Sequence, residues 1–414
     1  MSPFRPHYIA GAVAPAMGAT RESWLAAARR ALPAMRAWRM AFHQEPELSL
    51  HEERTQEKVV AALKELGISY RTFDDVPGAV GMIGAERSGP VVALRADMDA
   101  LPVTEQTGLA FQSRYPGKMH ACGHDVHMSA LLGAAAMLVR GGRSTGGPIK
   151  LLFQPAEEEG SRGGALPLIE HGCLEQPKVD YVVGQHVDPA LPLGTVGWRV
   201  GETMAAADFF RITVHGRGGH ASTPQQGPDA IVIASEVVTG LQTLVSRVRE
   251  PFDPVVVSVG SIHGGTRDNI LPSEVVLEGT VRTLRASTRE LMERSLRRKV
   301  RAIAAGHGAR ARVEYRHGYP ALINPAGPTR TVAEGLAVEL GRSNVVEVDH
   351  PLMGAEDFSR YLERVPGTFL RLGVGVPDRP ASLHSSTFAP DDRALVVGAA
   401  VLVIAAESLQ RSSP

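Results

Sequence analysis

Short apolar segments rich in β-forming residues alternate along the chain with segments of helical periodicity, and this alternation limits the possible folds most strongly. Three of the apolar segments are PVVALRAD (90–97), IKLLFQPAEEE (149–159) and DYVVGQHV (180–187), and a helical segment lies near 127–140. Such alternation indicates an α/β fold in which a mixed, largely parallel sheet carries helices on both faces. In sheets of this kind, functional residues gather at the carboxyl ends of the strands.

A different order of elements begins near residue 206. Strand, helix, strand, strand, helix and strand follow one another as far as about residue 318, which is the βαββαβ order of a ferredoxin-like sandwich. Ser287 and Glu290 predict a capping box at the start of its second helix. The predicted organisation is an N-terminal extension over 1–20, a catalytic domain over 21–205 and 319–414, and an inserted domain over 206–318.

Composition excludes several classes of protein. The 44 basic and 44 acidic residues give a formal net charge of zero, so we expect no nucleic-acid partner. No run of 18 consecutive apolar residues occurs, and we expect no membrane span. The two cysteines, Cys122 and Cys173, are too few for a disulfide framework and favour a cytoplasmic location. Pro15 interrupts the apolar N-terminal residues, which argues against a signal peptide.

One short segment is dense in side chains that bind metals. His120, Cys122, His124 and His127 all lie within MHACGHDVH (119–127). Thiolate and imidazole groups at this density are typical of a site for zinc or a similar metal. The same residues also suit a cysteine nucleophile beside a histidine, or ordinary buried and surface roles.

Three consecutive carboxylates, Glu157, Glu158 and Glu159, follow the apolar segment that begins at residue 149. Adjacent side chains of a regular strand point to opposite faces, so two of them can serve one site only where the strand ends. One carboxylate could then hold a cation while its neighbour accepts a proton from the attacking water. His186 and His384 each follow an apolar segment or loop, and each alone could equally be a core histidine.

Six motifs occur in an order that resembles the aminoacylase and carboxypeptidase family of metallohydrolases. They are LRADMDALPVTE (94–105), MHACGHDVH (119–127), FQPAEEEGSRGGA (153–165), GHAS (219–222), MGAEDFS (353–359) and LHSSTF (383–388). The chain is most similar to hippurate hydrolases, bacterial N-acyl-amino-acid amidohydrolases and plant auxin-conjugate hydrolases, over the region from about His43 to Asp392.

The resemblance implies hydrolysis of the amide bond in N-acyl or N-aroyl L-amino acids. A metallo-dipeptidase or carboxypeptidase is the alternative activity. The resemblance also implies that the inserted domain is a lid domain that commonly dimerises, so we expect a homodimer. A third hypothesis, a binding protein that kept the fold without activity, is disfavoured by the intact Glu157 and the complete set of ligands.

The resemblance further implies roles for individual residues. Five would bind two divalent metal ions, most readily Zn²⁺, with Mn²⁺, Co²⁺ or Ni²⁺ as alternatives: Cys122, His124, Glu158, His186 and His384. Glu157 would be the general base, and Asp97 a carboxylate that orients a ligand histidine. His220 would polarise the scissile carbonyl in the partner subunit's site, and Asn269 and Arg282 would hold the substrate carboxylate.

The chain departs from the usual pattern of the family at three positions. Gln185, Gln225 and Ser386 stand where Leu, His and Pro are common. None of the three removes a proposed ligand, so the departures bear on substrate preference and not on the chemistry.

Overall fold

The computed structural model describes residues 23–140, 146–377 and 382–411, so the N-terminal extension predicted over 1–20 lies outside the described residues. The described helices are α1 (Trp24–Gln44), α2 (Glu53–Glu65), α3 (His124–Arg140), α4 (Ala165–Glu170), α5 (Ala230–Thr243), α6 (Ala286–Gly306), α7 (Ala326–Leu340), α8 (Ser359–Leu362) and α9 (Arg393–Arg411). The described strands are β1 (Ser69–Thr72), β2 (Ala79–Ile83), β3 (Val92–Asp97), β4 (Ile149–Gln154), β5 (Tyr181–Pro192), β6 (Val196–Trp198), β7 (Gly201–Met204), β8 (Ala206–His215), β9 (Gly219–His220), β10 (Val255–His263), β11 (Ile270–Leu271), β12 (Glu274–Thr283), β13 (Arg310–His317), β14 (Leu322–Asn324), β15 (Val345–Glu347) and β16 (Gly367–Gly375).

A large mixed sheet forms the centre of the described structure. Its eight described strands follow the order β1-β2-β4-β3-β5-β16-β6-β15. The middle of the sheet is parallel, because β3 pairs in parallel with β4 and β5, and β5 pairs in parallel with β16. The edge strands β1 and β2 run antiparallel to their neighbours. The α/β fold with a mixed sheet predicted from the sequence is therefore confirmed.

Helices cover both faces of this sheet because the central strands are apolar on both sides. On one face α1, α3 and α9 pack together over alternate residues of β3 and β4, among them Leu94 and Leu151. On the other face the short helices α4 and α8 cover Ala93 and Leu152. The burial of both faces explains why these strands are continuous apolar runs in the sequence.

Two described helices are long and apolar enough, by length and composition, to cross a membrane: α9 and the segment 230–248 that contains α5. Nearly every residue of α9 is buried in the core of the large sheet. In α5, Ile233, Val237 and Leu241 are buried against the strands of a second sheet. The fold itself covers most of α9, whereas in α5 it covers one face and leaves Ile231 and Val232 exposed.

The second sheet consists of β8, β10, β12 and β13 in the order β10-β12-β8-β13, with all neighbours antiparallel. Both α5 and α6 pack on one face of it and enclose a separate apolar core. The chain enters and leaves this region through β7 and β14, which pair with each other. Along the chain the elements follow the order β8, α5, β10, β12, α6, β13.

The capping box predicted at Ser287 is wrong. Helix α6 begins at Ala286, with Arg285 at the cap position, and no side-chain hydrogen bond caps it. A tertiary contact holds the first turn instead, since the hydroxyl of Thr288 donates to the buried carboxylate of Asp253. Local sequence preference for a cap was overridden by this long-range bond.

A substitution at Gly164 tests how tightly the segment after β4 is packed. A Cβ atom at Gly164 would lie 1.8 Å from the carbonyl oxygen of Pro155, whereas one at Gly306 would meet nothing within 4 Å. We expect Gly164→Ala to lower the free energy of unfolding by at least about 2 kcal/mol, because the backbone of Pro155 must move. Gly306→Ala is the matched control and should unfold at or slightly above the wild-type midpoint. Equal midpoints for the two variants in thermal or denaturant unfolding would contradict this packing.

Candidate active site

The predicted site residues meet at the carboxyl-terminal edge of the central parallel strands. Asp97 ends β3, Glu157 and Glu158 follow β4, and His186 lies on β5. The N-terminus of α3 and the loop that contains His384 reach the same edge. This is the position expected for a site in a parallel sheet, because the connecting loops converge there.

The donor atoms of the five predicted metal ligands and of Glu157 form one cluster. Sγ of Cys122 lies 3.2 Å from Nε2 of His186, and Nε2 of His384 lies 3.2 Å from Oε1 of Glu158. Three overlapping groups have their ligand atoms within 4.8 Å of one another: Cys122 with His124 and His186, Cys122 with Glu158 and His384, and His124 with Glu157 and Glu158. Thiolate, imidazole and carboxylate groups in such sets can hold divalent cations.

Asp99 links two of the predicted ligands. Nδ1 of His124 donates to the carbonyl oxygen of Asp99 at 2.8 Å and lies 3.2 Å from its Oδ1. The other carboxylate oxygen of Asp99 accepts the backbone N–H of Glu158 at 2.9 Å. With Nδ1 occupied, the lone pair of His124 is on Nε2, which is buried and has no hydrogen-bond partner among the described residues. An unsatisfied buried imidazole nitrogen in a set of thiol and carboxylate donors fits a metal ligand.

Asp97 and His127 hold His186 from behind. The ring of His127 donates from Nδ1 to Asp97 at 2.6 Å, and its Nε2 accepts the backbone N–H of Val187 at 2.9 Å. His186 donates from Nδ1 to the carbonyl oxygen of Val187 at 2.7 Å, so its Nε2 is free to face Cys122. Asp97 was expected to orient a ligand histidine. In the structure, Asp97 accepts its hydrogen bond from His127. The hydrogen bond of the predicted ligand His124 goes to Asp99.

The two carboxylates Glu157 and Glu158 lie in a short 3-10 turn that follows a backbone reversal. Ala156 adopts a left-handed conformation, with φ of 54°, and its N–H donates to Glu52 at 2.7 Å. Burial, with a smaller contribution from the charge of Asp99, raises the pKa of Glu52 to about 9. Departure from regular extension at this point is what lets adjacent carboxylates face one site.

Tyr319 fixes the same turn from the opposite side. Its hydroxyl donates to the carbonyl oxygen of Glu157 at 2.7 Å and accepts the N–H of Gly160 at 2.8 Å. Tyr319 follows the last strand of the second sheet, so this bond connects that region with the turn that carries the carboxylates.

A fully buried arginine neutralises the carboxylates behind the cluster. Arg95 donates to Asp97 at 2.7 Å, to Asp357 at 2.8 Å and to Glu356 at 3.1 Å. Burial, together with the charges of Glu356 and Glu158, holds the pKa of Glu157 well above its usual value. A carboxylate with a raised pKa is the stronger base.

Two other groups of the cluster, Glu158 and Cys122, respond differently to their surroundings. Burial opposes ionisation of Glu158, but the contact with His384 and the charge of His124 leave its pKa below the usual value. Burial and the charges of Glu158 and Glu157 raise the pKa of the Cys122 thiol. Reactive cysteines have lowered pKa values, so this environment does not favour a free cysteine nucleophile.

A cavity of about 670 Å³ opens over the cluster. The second sheet contributes Arg282 and Phe209 to its wall, and Arg282 therefore shares one cavity with the predicted ligands. Burial lowers the pKa of the Arg282 guanidinium slightly, and no acidic side chain bonds it among the described residues. Its position suits the capture of an anionic group.

His220 and Asn269 are the two predicted site residues that the structure does not bring to this cavity. His220 lies on β9, which pairs with β11, and the carbonyl oxygen of the neighbouring Asn269 accepts the N–H of Ala221 at 3.1 Å. Both residues are exposed. The two residues lie close to each other on the ribbon of β9 and β11, and neither lines the cavity.

Several residues that build the site were not predicted from the sequence. Asp99, Glu356 and Asp357 all lie inside the motifs quoted above, but their partners lie on other elements. A signal for Asp99 does exist, because it stands two residues after Asp97 and so can face the same side of an extended chain.

Comparisons with known proteins identify relatives over most of the chain. The model of peptidase family M20/M25/M40 matches residues 93–408. Thermostable carboxypeptidase 1 of Saccharolobus solfataricus is 41% identical over 87% of this chain and 91% of its own. N-acetyl-L-cysteine deacetylase of Bacillus subtilis is 40% identical over 91% of this chain and 88% of its own. The crystal structure of the Bacillus subtilis YXEP protein, a dinuclear metal binding peptidase of the M20 family, matches with a TM-score of 0.79 and 32% identity, over 93% of this chain and all of the other.

Proposed function

The chain belongs to peptidase family M20/M25/M40, and from that premise we propose that it hydrolyses the amide bond of N-acyl or N-aroyl L-amino acids. The products are a carboxylic acid and a free amino acid. The observation that carries this proposal is the cluster of metal-binding side chains beside the buried Glu157, in a cavity that also contains the guanidinium of Arg282. The chain is an amidohydrolase of this family, and the acyl-amino-acid substrate is the proposed part.

Two divalent cations are the proposed cofactors. Cys122, His124, Glu158, His186 and His384 would hold them, and the dinuclear site of the YXEP protein supports the number. Thiolate and imidazole ligands favour Zn²⁺, although Mn²⁺, Co²⁺ or Ni²⁺ could occupy the same set. Such cations supply Lewis acidity to the scissile carbonyl and to the attacking water. The unpaired cysteines favour the cytoplasm as the proposed location.

Glu157 is the proposed general base. It lies beside Glu158 in the turn held by Glu52 and Tyr319, so its carboxylate is fixed near the other donors of the cluster. Its raised pKa suits a group that accepts a proton from water and passes it to the leaving nitrogen. Arg282 would hold the substrate carboxylate through paired N–H donors.

Metallo-dipeptidase or carboxypeptidase activity is the second candidate, because a relative with 41% identity is named a carboxypeptidase. A dipeptidase must pair the free ammonium group of its substrate with an anion. Glu159 lines the cavity and has no other proposed role. Its Oε2 accepts three backbone N–H groups, from Ser161, Arg162 and Gly163, and its Oε1 accepts the hydroxyl of Ser161. Glu159 is thus committed to its own loop, which favours the acyl-amino-acid substrate.

A substrate panel with metal analysis tests this proposal. We expect the purified protein to contain close to two divalent ions per chain and to hydrolyse N-acetyl-L-methionine and N-benzoylglycine at least about tenfold better than matched dipeptides, by kcat/KM. Release of the amino group with ninhydrin measures the reaction. A chelator should abolish activity, and Zn²⁺ should restore it. Preference for the dipeptides would support the second candidate, and full activity without metal would overturn both.

Substitutions of the adjacent carboxylates test their separate roles. Glu157→Gln removes the base and no ligand, so kcat should fall by a factor of about 10² or more while the metal content stays near that of the wild type. Glu158→Gln should lose metal. Rates and metal content measured on the same preparations distinguish the two variants. An exchange of the two results would reverse the assignment of base and ligand.

A homodimer is proposed because His220 and Asn269 lie together but outside the cavity of their own chain. In a dimer formed through the second sheet, the ribbon of β9 and β11 could reach the partner subunit's cavity. β10 and β13 are the edge strands of the second sheet, and each has backbone N–H and C=O groups available for pairing. Natural proteins usually cover such edges. His220 would then polarise the scissile carbonyl, and relative motion of the two sheets would close the site as a lid does.

Mixing two inactive variants tests whether His220 acts across the dimer. Glu157→Gln and His220→Ala should each lack activity alone. After subunit exchange, one site of each mixed dimer combines an intact Glu157 with the partner's intact His220, so activity should return to part of the wild-type value. Two portions of the same variant, mixed in the same way, are the control. If mixing restores nothing while mass analysis shows mixed dimers, His220 does not act across the dimer.

A further inference from the structure

Arg371 brings a second guanidinium to the wall of the cavity, in addition to that of Arg282. It lies on β16, in register with His186 of the parallel neighbour β5. Side chains at matched positions of neighbouring strands lie on the same face of the sheet. Arg371 is therefore next to a predicted metal ligand, and neither the proposed metal site nor the proposed capture of the substrate carboxylate uses it.

Asp188 holds this guanidinium in place. Nε of Arg371 donates to Oδ2 of Asp188 and Nη2 forms an ion pair with the same oxygen, while Oδ1 of Asp188 accepts the N–H of Ala190 at 2.9 Å. The side chains of Arg371 and Asp188 are only 12% and 9% exposed. At such depth an unpaired charge is costly, so the pair is stable without a ligand and its orientation is set beforehand.

The pair leaves part of the guanidinium unused. An arginine side chain has five N–H donors, and the contacts with Asp188 use Nε–H and one N–H of Nη2. No other acceptor bonds Arg371 in the part of the chain that the structure describes. Carboxylate is the acceptor that matches the planar fork of arginine.

We infer that Arg371 selects substrates that carry a second carboxylate, besides the one proposed for Arg282. This inference rests on the proposed function and narrows its substrate class. The second carboxylate could belong to the amino-acid side chain, as in N-acyl-L-glutamate, or to a dicarboxylic acyl group, as in an N-succinyl amino acid. The chemistry at Arg371 is the same for both, and the experiment separates them.

Other side chains of the cavity wall support selection by charge. Met204, Leu352, Met353 and Leu383 line it and offer no partner to an anion. Among the described residues, Arg282 and Arg371 are the two Arg or Lys side chains of this wall, so Arg371 is the cation left for a second carboxylate once Arg282 is occupied. A neutral substrate of the same size would leave the unused donors of Arg371 without an acceptor.

A purely structural role of the ion pair between Arg371 and Asp188 predicts different results from a role of Arg371 in substrate selection. If the pair only stabilises the fold, loss of either partner leaves one buried charge and lowers all activities together. If Arg371 selects the substrate, Arg371→Met removes the donors and leaves the anion of Asp188 facing the substrate. Asp188→Asn has the opposite effect, because it removes the competing anion and leaves the guanidinium.

The experiment measures kcat/KM for two matched substrate pairs. They are N-acetyl-L-glutamate with N-acetyl-L-glutamine, and N-succinyl-L-alanine with N-pentanoyl-L-alanine. In the wild type we expect the acidic member of at least one pair to be preferred by about tenfold or more. Arg371→Met should lower that ratio at least about tenfold, mainly through KM, and Asp188→Asn should raise it. The pair that responds shows which part of the substrate carries the carboxylate.

Arg211→Met is the matched control, because Arg211 pairs with Glu278 on the second sheet, is half exposed and does not line the cavity. The kcat/KM ratio of the acidic to the neutral substrate should be the same in Arg211→Met as in the wild type. Metal content is measured for every variant, so that a loss of metal is not mistaken for a change in selection.

Each outcome decides the inference. If both members of a pair are hydrolysed and Arg371→Met leaves their ratio unchanged, the inference is overturned while the proposed function stands. If the metal-loaded wild type hydrolyses N-acetyl-L-methionine or N-benzoylglycine but no member of either pair, the inference is overturned while the proposed function stands. If it hydrolyses none of these substrates, both fail. If Arg371→Met does not fold, Arg371→Lys replaces it. That variant keeps the charge and loses the planar fork, so its ratio should fall by a smaller factor, and an unchanged ratio overturns the inference.

Discussion

The buried guanidinium of Arg95 lets several carboxylates lie close together behind the predicted metal site. It joins β3 to Gln154 on β4 and to the pair Glu356 and Asp357, more than 250 residues further along the chain. Removing ions from water costs several kcal/mol for each of them, and only opposite charges with good hydrogen-bond geometry offset that cost. Asp97, which Arg95 fixes, in turn holds His127 and through it the strand that carries His186. The geometry of the site thus depends on one arginine that touches no predicted ligand.

The general architecture could be predicted because its signals are local. Apolar runs with polar ends showed which segments are strands, and the carboxyl ends of parallel strands meet at one edge. The resemblance to the metallohydrolase family implied that Cys122, Glu158 and His186 bind metal together, and their donor atoms do lie together. The bend after β4 could also be expected, because adjacent carboxylates cannot otherwise face one site. These inferences needed no knowledge of which strand neighbours which.

The parts that could not be predicted depend on long-range partners. Asp99 bonds both a side chain on α3 and a backbone group after β4, and only the assembled sheet shows that these lie beside it. The start of α6 was predicted wrongly for the same reason, since Thr288 bonds Asp253 in a distant loop. His220 lies outside the cavity of its own chain, and its action in a partner subunit's site remains a prediction from the resemblance.

The arrangement separates the chemistry from the recognition of the substrate only in part. Arg282 and His220 belong to the second sheet and its loops, whereas the predicted metal ligands lie on the large sheet, its loops and the N-terminus of α3. Arg371 and Asp188 lie instead on the same pair of strands as His186. A change in the size or charge of that pair would shift the strand that carries a predicted ligand. The selection proposed at Arg371 would therefore be tied to metal binding through the strand that the two share.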